Sequence, residues 1–424
     1  MLTEIGRRTV AAVLAFCTAV TVLSGCSPQK QVDPAQVKTS ASSEPSVVKT
    51  PIQAKLPDTS VQSLKKGGVP GKFSNNFLAL QKAYNLAAVP TYDGFNQSTH
   101  PKVLYFPNGW NGYKYWMSIT PYPYGIDDYE NPCVVVSNDA KTWTTPAGLK
   151  NPVTGIPSDV KIGAHYSDSH IVMHGSVMEL WYRYNKGNPK TKHPDESIDY
   201  YYRITSTDGI HWSKPQLMQQ AVSSIISLAV NYEDGRYQFW FTNSKKQLMY
   251  ADSTDGVHWQ DEQPCSIALP TGYLPWHQDL IHYRNEYYLL QTGIRKANYS
   301  FALFLSESSD GTHFTKGVSF YPSDSPVVLT KTWLYRSTVW ADGSTLRMMV
   351  SYRLPGQKWY LTPTALSVQQ WQAACATQKG ITLKAPAAPS STPSQKPAGG
   401  SAKPKFRIVP KSAPVQLHKN VGKA

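Results

Sequence analysis

Four short stretches place side chains able to move protons or bind polar groups just ahead of apolar runs. They are His100-Pro101-Lys102 before Val103-Leu104-Tyr105-Phe106, Asp168-Ser169-His170 before Ile171-Val172, His277-Gln278-Asp279 before Leu280-Ile281, and Tyr335-Arg336-Ser337-Thr338 before Val339. A further set, Asp127, Asp128 and Glu130, precedes Asn131-Pro132 and the run Cys133-Val134-Val135-Val136. Paired carboxyl groups can divide acid and base work, one protonating a leaving group while the other activates water or attacks. Imidazole adds a group that titrates near neutrality. Asp168, Asp279, His277 and Glu130 are the catalytic candidates on this reasoning. His100, His170, Arg336, Trp276, Trp116 and Tyr335 are the candidates for holding a polar ligand. No metal-ligand spacing stands out, and the expected cofactor complement is none. His100, His170 and His277 could still converge on a divalent ion such as Ca²⁺ or Zn²⁺. Neither a phosphate-cradling glycine loop nor a G-x-S-x-G elbow is present.

These side chains need strands to position them, and one repeated stretch says which kind. Ser206-Thr207-Asp208-Gly209-Ile210-His211-Trp212 returns as Ser253-Thr254-Asp255-Gly256-Val257-His258-Trp259 and as Ser308-Ser309-Asp310-Gly311-Thr312-His313-Phe314. A looser copy, Ser137-Asn138-Asp139-Ala140-Lys141-Thr142-Trp143, comes first. An Asp-Gly turn flanked by Ser and an aromatic is a hairpin signal, because Asp bonds nearby backbone N–H groups and Gly accepts positive φ. Recurrence at roughly fifty residues matches a four-stranded propeller blade. The expected fold is all-β: a five-bladed propeller, four blades closing on such a turn and the fifth, ending near Trp359-Tyr360-Leu361, lacking one. No long helical period is expected after Leu86.

The turns resemble the Asp boxes of β-propeller glycosidases and sialidases. The strand pattern from about His100 to Trp371 resembles the five-bladed glycoside hydrolases of the arabinanase and xylosidase type (family 43) and their sucrose- and levan-cleaving relatives. That resemblance implies inner strands lining a channel, with His100, Asp168 and His170, Ser224 or Ser227, His277 and Asp279, and Arg336 facing a pocket. It also implies three catalytic acids, at positions where this chain has His100, Ser224 to Ser227, and Trp276 or His277. Three readings stay open: a divergent hydrolase using Asp168, Asp279 or Glu130 with a histidine donor, a non-catalytic glycan-binding propeller, or a protein-interaction scaffold. Trp110, Trp116, Tyr122, Tyr124, Trp276, Trp333 and Tyr335 near strand ends favour a sugar ligand, since flat rings stack on sugar rings.

At the N-terminus Arg7 and Arg8 precede an apolar run, Val10 to Leu23, too short to span a bilayer of ~20 helical residues. It ends in Leu23-Ser24-Gly25-Cys26, which resembles a bacterial lipobox and makes Cys26 the expected lipidated residue. Residues 1–26 are thus an expected lipoprotein signal, 27–68 a disordered stalk, 69–376 the propeller and 377–424 a disordered basic tail. The chain would sit on the extracytoplasmic face of a bacterial membrane, as a monomer.

Charge supports this division. The 424 residues carry a formal +14, yet Val69 to Ala376 holds 25 Lys or Arg against 24 Asp or Glu. A nearly neutral core argues against nucleic acid as a partner. The basic tail, without a single acid after Ala376, suits anionic cell-wall polymer or lipid head groups. Cys133, Cys265 and Cys375 cannot all pair, and Cys133 in its apolar run reads as a buried free thiol.

Overall fold

The computed structural model describes residues 64–192, 194–222, 226–322 and 333–383. The expected signal, its Cys26, the stalk to residue 63, the tail from residue 384 and Ser224 lie outside the described residues.

Nineteen strands form five sheets. The first blade contains β1 (Ser98–Trp110), β2 (Tyr113–Pro121) and β3 (Cys133–Ser137). The second contains β4 (His165–His174), β5 (Val177–Gly187), β6 (Pro194–Ser206) and β7 (Gln216–Val222). The third contains β8 (Ile226–Glu233), β9 (Arg236–Thr242), β10 (Leu248–Ser253) and β11 (Gln260–Pro264). The fourth contains β12 (Tyr273–Tyr283), β13 (Glu286–Arg295), β14 (Ser300–Ser308) and β15 (Val318–Tyr321), and the fifth β16 (Thr338–Asp342), β17 (Thr345–Leu354) and β18 (Lys358–Ser367). Within each blade the strands run antiparallel in chain order. The inner strands β1, β4, β8, β12 and β16 each neighbour the next, and β16 returns to β1, which closes the ring.

Five apolar clusters fill the spaces between successive blades. The repeated turns lock those spaces. In every copy the Ser hydroxyl donates to the Asp carboxylate at 2.9–3.0 Å. The same carboxylate accepts the N–H groups two and three residues on. Gly209, Gly256 and Gly311 have φ of 74°, 76° and 76°, and Ala140 takes φ 57° in the first copy. Each glycine seats against a tryptophan of the preceding blade's second strand: Gly209 on Trp116, Gly256 on Trp181, Gly311 on Trp240.

A Cβ on Gly209 would lie 2.1 Å from the Trp116 ring, whose side chain is fully buried. Gly209→Ala is therefore expected to cost about 3 kcal/mol, from overpacking plus a positive φ. Gly175→Ala, with φ 60° and nothing within 4 Å of the new methyl, isolates the backbone cost of roughly 1–2 kcal/mol. Urea denaturation of the two variants checks this; equal losses would refute the packing account.

Trp116 is accordingly a core residue and not a ligand platform. It packs on Trp110 and Tyr113, and its Nε1 donates to the Trp110 carbonyl at 3.0 Å.

Two helices close the ring. Helix α1 (Asn75–Tyr84), capped by Ser74 and left through Asn85 at φ 53°, leads into Leu86–Val89. That segment bonds blade five through Ala87 N–H to Leu361 O, and blade one through Ala88 with Lys141 and Trp143. The missing fifth turn is replaced by helix α2 (Val368–Thr377), which Ser367 and Gln370 cap reciprocally. Its Trp371 is fully buried and donates to the Ser306 carbonyl. This helix departs from the all-strand expectation. β19 (Ile381–Thr382) then pairs in parallel with Phe320 and Tyr321, so these two residues belong to blade four and not to a tail. Cys133, Cys265 and Cys375 are free thiols.

Candidate active site

Every inner strand carries one residue more than its partner at the same end of the ring. Thr99 to Lys102 faces Thr120 to Ser118, Ser167 to His170 faces Arg183 to Trp181, and Ile226 to Leu228 faces Thr242 to Phe241. Pro275 to His277 faces Gly293 to Thr292, and Leu334 to Thr338 faces Tyr352 to Met349. An extra residue bends the strand and re-aims a side chain. His100, Asp168 and Ser227 occupy these positions with φ of 51°, 52° and 54°. Left-handed backbone at three non-glycine residues is strain concentrated at one end of the channel.

The result is a buried polar cluster. Asp168 Oδ1 lies 3.7 Å from His100 Nε2, 3.6 Å from His277 Nδ1 and 3.7 Å from Arg336 Nη1. Its Oδ2 lies 3.2 Å from Arg183 Nε. Glu130, on the loop between β2 and β3, brings Oε1 to 3.8 Å from His100 Nδ1 and Oε2 to 3.9 Å from His165 Nε2. The Tyr335 ring covers His277 at 4.6 Å and His100 at 5.5 Å between centroids, and its hydroxyl accepts from Trp276 Nε1 at 3.5 Å. His100 Nδ1 is held by the Thr120 hydroxyl at 2.8 Å.

Burial sets the protonation states. It pushes His100 down to about 3 and His277 well below the ordinary imidazole value, with Arg336 and Arg183 adding to both. It also pushes Glu130 well above the usual carboxylate range, helped by Asp127 and Asp168. Asp168 feels the same burial, but the guanidinium charges of Arg183 and Arg336 outweigh it and hold its carboxyl below that range. Two neutral imidazoles, one ionised carboxylate and one protonated carboxyl therefore meet in one site. Environments that drive two carboxyls apart are what acid–base chemistry requires.

The same atoms fit a metal ion. Donor atoms of His100, Asp168 and His277 all lie within 4.8 Å of one another. His100 Nε2, Asp168 Oδ1 and both nitrogens of His277 are buried without a hydrogen-bond partner. Buried polar groups are almost always satisfied, so this set has ligands still to bind. Two imidazoles and a carboxylate suit a divalent transition metal.

Of the sequence candidates, His100, Asp168, His277, Glu130, Arg336, Tyr335 and Trp276 are brought together. His170 and Asp279 lie one layer deeper: His170 bonds Arg336 and the Val230 carbonyl, and Asp279 is taken up by Lys102, Thr338 and Val339. Sequence reasoning missed His165 and Arg183. His165 sits three residues before Asp168 on β4, with its Nε2 3.9 Å from Glu130 Oε2. Arg183 enters by register opposite Ser167, which only strand pairing reveals.

No family model matches the sequence. Over 142 residues the chain is 32% identical to an A type blood N-acetyl-α-D-galactosamine deacetylase of Flavonifractor plautii. The match spans 32% of this chain and 18% of that protein's length. The crystal structure of an N-acetylgalactosamine deacetylase from F. plautii, in complex with blood group B trisaccharide, superposes with a TM-score of 0.54 at 20% identity. It covers 74% of this chain and 97% of that one. An exo-1,5-α-L-arabinanase from a bovine ruminal metagenomic library gives a TM-score of 0.46 at 13% identity, covering 63% and 92%. On its sheet order, its closed ring of inner strands and its likeness to the F. plautii structure, this chain is a five-bladed β-propeller.

Proposed function

We propose that the chain is a metal-dependent hydrolase that removes an acetyl group from an N-acetylated sugar within a glycan. The observation that carries this reading is the set of unsatisfied donor atoms on His100, Asp168 and His277 beside a neutral Glu130. Glycosidic cleavage by two carboxyls is supported less well. It would use Asp168 as base or nucleophile, yet Asp168 is flanked by two arginines and leaves two imidazoles without a task. The named activity of the F. plautii relative points to the same chemistry.

A divalent cation held by His100, Asp168 and His277 would supply Lewis-acid polarisation of the acetyl carbonyl. The remaining work falls to the chain. Arg183 and Arg336 keep Asp168 ionised, and burial keeps both imidazoles neutral and able to donate lone pairs. Glu130, ionised beside the charge of a bound cation, takes a proton from the water that attacks the acetyl carbonyl and returns it to the amine nitrogen as the C–N bond breaks. His165 and His100 orient it from either side. Tyr335 and Trp276 wall the pocket where the sugar ring would lie.

Acetate release from N-acetylhexosamine oligosaccharides, before and after chelation, tests the proposal. Activity is expected to vanish on chelation and return with Zn²⁺ or Mn²⁺. Glu130→Gln, near-isosteric with a neutral carboxyl, should lower kcat on the order of 10²-fold with the fold retained. Chelator-insensitive production of reducing ends would replace this reading with glycoside hydrolysis.

We further infer that the enzyme works outside the cell, tethered through Cys26; support comes from the apolar segment ending in Leu23-Ser24-Gly25-Cys26. Fatty-acid labelling of the wild type is expected to disappear in Cys26→Ala. Equal labelling of both would dismiss the anchor.

A further inference from the structure

We propose that the substrate is an anionic glycan, carrying a carboxylate, sulfate or phosphate one or two units from the sugar that reacts. This rests on the reading of the site as a sugar deacetylase and concerns only its substrate class.

Strand direction decides which turns share the site's end of the ring. The inner strands of blades one to four start at the site and that of blade five starts just after Arg336, so β2, β5, β9, β13 and β17 finish there. The turns and strand ends at that end carry Lys190 and Lys192 in blade two, Lys246 in blade three, Arg295 and Lys296 in blade four, and Arg353 in blade five. The acids there are Asp127 and Asp128 beside Glu130, Asp195, Glu196 and Asp199 at the start of β6, and Asp159, which is engaged by the Tyr184 hydroxyl and the Gly187 N–H. They are outnumbered by the cations of that end, to which Lys150, Lys161 and Lys358 also belong. At the opposite end the acids Glu233, Asp234, Asp261, Glu262, Glu286 and the aspartates of the repeated turns outnumber the cations Lys114, Lys141, Lys214, Arg236, Arg284 and Lys316. A core that is close to neutral in total is thus polarised, positive around the pocket. Such a field concentrates anions at the mouth and raises their rate of arrival.

Close geometry points the same way. The Lys246 ammonium lies 4.0 Å from the centroid of Trp276, and the Arg353 guanidinium lies 3.3 Å from that of Trp333. The Arg295 guanidinium lies 4.3 Å from the Tyr273 ring. Trp276 adjoins His277, and Trp333 packs on Phe301, which contacts Tyr335. These ring faces, where a neutral sugar would stack, carry cations instead. A guanidinium lying flat on an aromatic keeps its N–H donors in its own plane, directed outward to an anion. Three blades therefore carry donors suited to negative charge at this end of the ring, and the rings under Lys246 and Arg353 adjoin the residues around the buried cluster.

The test separates charge preference from chemistry by measuring binding with the Glu130→Gln variant. The probes are hexasaccharides: neutral chitin, hyaluronan with carboxylates alone, and chondroitin sulfate with added sulfate esters. The charged probes are expected to bind about tenfold or more tightly at ~0.05 M salt, with the advantage shrinking toward ~0.5 M. Which charged probe binds best distinguishes carboxylate from sulfate recognition. In a Lys246→Gln/Arg353→Gln background the ratio of charged to neutral affinity should collapse toward unity. Lys114→Gln, on the opposite end, should keep the ratio. Equal affinities, or a preference insensitive to salt and to the double substitution, would overturn the proposal. If the charged probes win but the wild type releases acetate from none of them, the charge preference stands and the deacetylase reading falls.

Discussion

Asp168→Asn is expected to abolish acetate release and to destabilise the fold by about 3–5 kcal/mol, the range for stripping one partner from a buried ion pair. Asp168 is buried and lies between two arginines, Arg183 at 3.2 Å and Arg336 at 3.7 Å. Removing its charge leaves both cations facing each other in a site that already disfavours charge. The same substitution weakens one of three proposed metal ligands. Because instability alone could silence the variant, His277→Gln serves as its companion. The His277 ring makes no hydrogen bond, so its loss should cost metal affinity and activity with a much smaller fall in Tm. An Asp168→Asn protein that melts like the wild type and still turns over would remove Asp168 from the site's chemistry.

The same charges predict how the wild type responds to acid. Asp168 is held below the ordinary carboxylate range, so its stabilisation is present above the unfolded value and fades as pH falls through its folded value. Burial pushes His100 from 6.5 down to about 3. Between those values the unfolded chain binds a proton that the folded chain refuses, so falling pH again favours unfolding. The other buried histidines, His165, His170 and His277, share the sign of His100, while Glu130 and Asp93, raised by burial, oppose it. With four imidazoles against these two carboxyls, the Tm of chelated protein should drop as pH is lowered from about 7 toward about 4, and Asp168 adds its share below about 4.

Lys102→Met is the second change expected to be severe, at about 3–5 kcal/mol. Lys102 Nζ meets Asp279 Oδ1 at 2.7 Å, and Asp279 Oδ2 accepts from the Thr338 hydroxyl at 2.7 Å and Val339 N–H at 3.0 Å. The pair ties blades one, four and five across the channel with both side chains buried. Either partner alone becomes an uncompensated charge in a place water does not reach. Lys102→Met/Asp279→Leu should recover much of the loss, since apolar replacements of a buried pair are often tolerated. A double-mutant cycle by urea denaturation measures the coupling. If the folded double variant lost more than about a hundredfold in kcat, Asp279 would have to be returned to the chemistry.

What the sequence determined by itself was mostly local. The Asp-Gly turns were legible because each is completed by its own Ser, Asp and backbone N–H groups within six residues. Three of them with the looser copy at Asp139, followed by a fifth set of strands, implied the blade count. His100, Asp168, His277 and Arg336 could be singled out because each stands at the head of an apolar inner strand, and ring closure then has to bring strand heads together. Whatever depends on partners far apart in the chain was decided by tertiary structure. Asp279 looks like an acid of the site until Lys102, 177 positions away, is found on it. Trp116 looks like a sugar platform until the turn at Gly209 in the next blade covers it. Helix α2 takes the place of a fifth turn, and Ile381–Thr382 joins blade four by pairing with a strand sixty residues earlier. His165 and Arg183 enter the site through contacts with Glu130 and Asp168 that the pairing of β4 with β5 brings about. A strand's own pattern specifies which residues alternate, but pairing across the sheet settles where the alternation breaks and which side chains then meet.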